Sequence, residues 1–82
     1  MTDAQTETIK GLCTIALTKH IMAKYELSQD DSFSKLMNTE FYKIFLNVNS
    51  GLYLEPDFFL YKACDLELDG KTNEMYDFIQ NN

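Results

Sequence analysis

Apolar residues recur along the first part of the chain at Ile9, Leu12, Cys13, Ala16, Leu17 and Ile21, with His20 on the same stripe. Their spacing by three and four predicts an amphipathic helix running to about residue 25, capped by Thr2 or Asp3. The stretch Leu12–Leu17 is apolar nearly all round, which predicts a central helix. Gly11 interrupts it at a cost of about 1 kcal/mol against Ala, and this predicts a close helix crossing. "LSQDDSF" follows. Ser28 with Asp31 three residues later resembles a capping box, and Asp30 and Asp31 suit the positive end of a helix dipole. A short second helix over 29–37 is expected to turn Phe33, Leu36 and Met37 inward.

Thr39 is the natural cap of a third helix beginning at Glu40, with Phe41, Phe45 and Ile44 or Leu46 buried. "NVNSG" reads as a turn in which Gly51 or Asn49 takes the left-handed conformation. "LYLE" reads as a short extended piece with no second strand to pair with. Pro56 suits the first turn of a fourth helix, over about 56–69, because its missing N–H is no loss there. That helix carries Phe59, Leu60, Ala63, Cys64 and Leu66 or Leu68 inward, and Gly70 ends it. Thr72 or Asn73 starts a last short helix with Met75, Phe78 and Ile79 on one face. The expected fold is all-α: one domain over residues 1–82, a small orthogonal bundle of four or five helices.

Composition narrows the function classes. The net charge is −6 and Arg is absent. Residues 1–54 hold six acids and five lysines, whereas residues 55–82 hold seven acids and two lysines, so the second part carries −5 of the total. Such a chain repels nucleic acid and lacks the usual phosphate ligand, which argues against direct nucleic-acid binding and against a nucleotide site. No run reaches the length of a membrane span, and "MTDAQTETIK" is too polar for a signal peptide. These features predict a cytoplasmic protein without membrane contact. Cys13 and Cys64 read as small buried hydrophobes rather than a disulfide framework.

"DLELDGKTNEMYD", Asp65 to Asp77, begins like a calcium-binding EF-hand loop, with acids at its first, third and fifth positions and Gly70 at the sixth. Its twelfth position is Tyr76 rather than a bidentate Glu, its eighth is Thr72, and no second loop accompanies it. The sequence favours a helix that ends at Gly70 and another that begins at Thr72 or Asn73. Weak cation binding by a helix pair at residues 65–77 stands as an alternative. One His and two scattered Cys do not make a zinc site. His20 has no nucleophile or orienting acid implied by spacing, and no phosphate loop or nucleophile elbow occurs. The reading is a non-enzyme without metal or cofactor.

The densest feature is Thr39 to Tyr61, which holds seven of the eleven aromatics. Phe58, Phe59, Leu60 and Tyr61 are consecutive and sweep about 300° of a helix, so they cannot all face one core. Part of this surface is therefore expected to meet a partner, either another protein or a second copy in a homodimer. The candidate contact residues are Tyr42, Tyr53, Phe58 and Tyr61, with Asp57 and Asp65 as rim charges. An acidic inhibitor that mimics nucleic acid is the other reading of the charge.

"SFSKLMNTEFYKIFLNVNSGLYLEPDFFLY" resembles in layout short all-α bacterial proteins of unknown function, some encoded beside toxins in mobile gene clusters. The shared features are Thr39 with Phe41 and Tyr42, then Gly51, Leu52 and Tyr53, then an apolar helix with an acidic end at Asp65 to Glu67. The resemblance implies a compact helical protein working through protein contacts, as an antitoxin-like or accessory partner. The chain departs from operator-binding antitoxins in having no basic helix-turn-helix.

Overall fold

The computed structural model describes residues 2–81 and contains five α-helices and no strand among them. These are α1 (Asp3–Tyr25), α2 (Gln29–Met37), α3 (Glu40–Leu46), α4 (Asp57–Leu68) and α5 (Thr72–Gln80). Two short 3₁₀ turns, Val48–Ser50 and Leu52–Leu54, join α3 to α4. The chain is thus an all-α bundle.

Local chemistry sets the boundaries. At the start of α1, Thr2 and Gln5 form a reciprocal capping box: the Gln5 amide donates to the Thr2 hydroxyl and the Thr2 amide to the Gln5 side chain. Ser28 accepts from the Asp31 amide and Thr39 from the Tyr42 amide, which satisfies N–H groups that open α2 and α3. α4 ends in a Schellman motif. Gly70 adopts φ 81°, the Lys71 amide reaches the Leu66 carbonyl at 2.8 Å, and the Gly70 amide reaches Glu67 at 2.9 Å. α1 ends in the same way, but with Glu26 at φ 54°, a left-handed position held by a residue with a Cβ.

The core forms where the five helices meet: Leu17 and Ile21 of α1, Leu36 of α2, Phe41 and Phe45 of α3, Phe59, Leu60, Ala63 and Cys64 of α4, and Met75 of α5, with Leu52 closing it. Phe78 and Ile79 pack on its edge. α1 lies against α2 and α4, and α4 in turn against α3 and α5.

Four expectations are corrected. Phe33 and Met37 face outward, because a helix as short as α2 presents a single row, Ser32 and Leu36, to its neighbours. Of the pair Ile44 or Leu46, the expectation is met by Ile44, which packs on the core while Leu46 is exposed. Leu52–Leu54 is a 3₁₀ turn rather than extended, closed by hydrogen bonds from Leu54 to Gly51 and from Glu55 to Leu52. Gly11 marks no crossing inside the fold, since a Cβ built on it meets nothing within 4 Å. Leu12 and Ile15 beside it are 63% and 54% exposed, so α1 is not buried all round.

Candidate functional site

α4 and its C-cap carry a polar residue every four positions, Asp57, Tyr61, Asp65 and Asp69, which form a row slanting along one side of the helix. α1 answers with Cys13, His20 and Lys24. The two helices run in the same direction and meet along this row. His20 Nε2 lies 2.9 Å from Asp65 Oδ1, and its ring stacks on Tyr61 with centroids 4.4 Å apart and planes 3° from parallel. Lys24 Nζ reaches Asp65 at 3.3 Å and Asp69 at 3.4 Å. One Asp65 oxygen, Oδ1, therefore ties His20 and Lys24 of α1 together.

The electrostatics of the seam follow from its partial burial. Burial works against charge on Lys24, but the Asp65 and Asp69 carboxylates more than offset it and hold the ammonium above its ordinary value. Burial, with a smaller contribution from Asp57, pushes the Cys13 thiol up. Burial, with Asp57 and Cys13, raises the Tyr61 phenol too. Both groups are neutral at neutral pH, so neither stands ready as a nucleophile beside His20. Cys64, behind the seam, is pushed up to about 12 by burial and then by Asp65 and Glu67.

The acids of the 65–77 segment do not converge. Asp65 and Glu67 are helical, Asp65 and Asp69 turn toward α1, and Glu67 turns to α3. The Glu67 carboxylate accepts from the Glu40 and Phe41 amides, each at 2.7 Å, and so caps the start of α3 from another helix. No group of three or more His, Cys, Asp or Glu arranged to hold a metal occurs among the described residues.

The six candidate contact residues fall into two groups. Asp57, Phe58, Tyr61 and Asp65 all belong to α4, but Tyr61 and Asp65 are engaged with α1, the ring stacked on His20 and the carboxylate bonded to His20 and Lys24, which leaves Asp57 and Phe58 exposed. Phe58 is 74% exposed, and Leu54, just before the helix, is 60% exposed. Tyr42 and Tyr53 come from α3 and the second 3₁₀ turn. The Tyr42 ring stacks on Phe45 and its hydroxyl is 3.3 Å from Thr14 Oγ1, so its polar end is engaged within the fold. Tyr53 packs at the core edge in the second 3₁₀ turn. The sequence reading passed over His20, Lys24, Cys13 and Asp69 as members of the seam. The signal for them was the matched four-residue spacing, His20–Lys24 against Tyr61–Asp65–Asp69. No protein-family model, curated protein or solved structure matches the chain.

Proposed function

We propose that this chain is a small, non-catalytic protein-interaction module, antitoxin-like or accessory in kind, which engages its partner through the exposed start of α4. The observation that carries this reading is Phe58. It stands 74% exposed on a helix whose next two residues, Phe59 and Leu60, are buried. Leu54 lies just before it, and the exposed Asp57 stands beside it, whereas Asp65 is held by His20 and Lys24 of α1. A partner that fits would offer an apolar socket edged with Lys or Arg. The aromatic then supplies affinity and Asp57 supplies orientation and encounter rate.

The acidic-decoy reading has less support. Asp65 and Asp69 are paired with Lys24, and Glu67 caps α3, so three of the seven acids in residues 55–82 are committed inside the fold. The test is native mass spectrometry on protein purified gently from its own host, comparing wild type with Phe58→Ser. A stoichiometric second species that disappears with Phe58→Ser, while the helical circular dichroism is unchanged, supports the reading. A partner retained by Phe58→Ser, or one lost steeply with added salt, sinks it.

A further inference from the structure

We propose that α1 carries a second interaction surface, whose occupant is the α1 of another copy of this chain, packed antiparallel. The surface is the outer face of α1: Thr8, Gly11, Leu12, Ile15, Ala16 and Lys19. These positions fall on one side of the helix at intervals of three and four, opposite the stripe Leu17–Ile21 that enters the core. α1 thus has two apolar seams, and the fold uses one.

Three observations select a second copy. First, Gly11 has no use inside the molecule. It is exposed, sits in mid-helix without a left-handed φ, and its added Cβ would meet nothing within 4 Å. A glycine there serves close approach by a helix from outside, and the small Ala16 lies on the same face. Second, the face is self-complementary. With a two-fold axis between positions 13 and 14, each residue faces the position whose number makes 27 with its own. Leu12 then meets the second copy's Ile15, Gly11 meets Ala16, and Thr8 meets Lys19. Third, charge permits it here and opposes it elsewhere. Residues 55–82 carry −5 and would repel their own copy, whereas residues 11–18 carry no charge at all. Lys19 falls one position from the second copy's Glu7, whose side chain is 75% exposed and reaches its own Lys10 only at 3.8 Å, so the contact can end in opposite charges on both sides.

The groove between α1 and α2 extends this surface. It holds about 310 Å³ and is lined in part by Ile15, Met22 and Phe33, so the second copy's helix has apolar walls to lie against. α1 is about 34 Å long. One helix pair of that length buries less than the roughly 800 Å² per partner of a standard interface, which places the dimer in the weak, micromolar class.

The test is analytical ultracentrifugation of the full chain from micromolar to near-millimolar concentration, with charge-reversal variants at exposed positions that leave the fold intact. Wild type is expected to pass from 9.5 kDa to twice that mass as concentration rises. Lys19→Glu should weaken the dimer roughly three- to tenfold by facing Glu7 with a like charge, and adding Glu7→Lys should restore it. Ile15→Lys should give monomer throughout, with circular dichroism unchanged. Phe58→Ser should leave the dimer intact, which separates this surface from the one at the start of α4. A wild type that stays monomeric near 1 mM, a dimer indifferent to Ile15→Lys, or a double charge swap that fails to rescue Lys19→Glu overturns the proposal.

Discussion

The two flanks of α1 are built on different principles. Toward α4 the contact is polar and directional: His20 stacks on Tyr61 and bonds to Asp65, and Lys24 spans Asp65 and Asp69. Toward α2 it is broader and mostly apolar, with Ser32 and Leu36 set against the helix, Lys35 over the Tyr25 ring, and Ile15, Met22 and Phe33 left along an open groove. The polar flank fixes how the helices register, because each bond has one geometry. The apolar flank contributes burial without specifying a partner, and so it leaves surface for another occupant.

The difference can be broken or sharpened by substitution. Leu17 is fully buried in the core. Leu17→Ala should cost about 2–5 kcal/mol in urea unfolding, and a smaller loss would mean that α1 is held by its flanks rather than its core stripe. Glu67→Ala should cost about 1–2 kcal/mol and speed hydrogen exchange at the Glu40 and Phe41 amides, whereas Glu67→Gln, which keeps an acceptor, should lose less. On the polar flank, His20→Ala should cost about 1–2 kcal/mol through the lost stack and hydrogen bond. On the open side, Ile15→Ala measured at low micromolar concentration should cost about 0.5 kcal/mol or less. Equal losses at the two positions would erase the contrast.

How much of this was legible depends on how far each cause acts along the chain. Ser28, Thr39 and Gly70 act on amides or carbonyls a few residues away, so the helix boundaries could be read directly. Glu67 and His20 act on residues 27 and 45 positions away, as in Glu40 and Asp65, and no local rule connects them. Phe58 was legible by geometry alone, since four consecutive large residues cannot share one face. Phe33 and Met37 misled because their spacing matches an inward row that Ser32 and Leu36 already fill. Leu52–Leu54 misled because alternation suggests a strand, and the closing hydrogen bonds to Gly51 and Leu52 are a matter of turn geometry.

Two smaller effects refine the picture. The Ser32 hydroxyl is fully buried with no hydrogen-bond partner among the described residues. Ser32→Ala should therefore raise stability by up to about 1 kcal/mol, read as a higher urea midpoint with an unchanged slope. The last effect is silent at neutral pH. The Cys64 thiol is pushed from 9.0 to about 12 in the folded chain. Between those values the unfolded chain has lost a proton that the folded chain keeps, so stability should fall as pH rises above about 9. Lys24, also raised, contributes in the same direction once pH exceeds its ordinary 10.5. Cys64→Ala should flatten the alkaline decline, and at pH 8 a thiol reagent should reach Cys64 only after unfolding.

α3 shows what such long-range bonds mean for how the chain assembles. It spans only Glu40–Leu46, far below the length at which a helix persists alone in water. Its first amides are held by Glu67 of α4, and its last carbonyl, that of Leu46, accepts from Lys10 of α1 at 2.8 Å. An acid thus sits at the positive end of its dipole and a lysine at the negative end, each supplied by a different helix. α3 therefore cannot nucleate the fold. Both of its end caps exist only where α1 and α4 stand side by side, so its stability is borrowed from residues 10 and 67, on opposite sides of it in the chain.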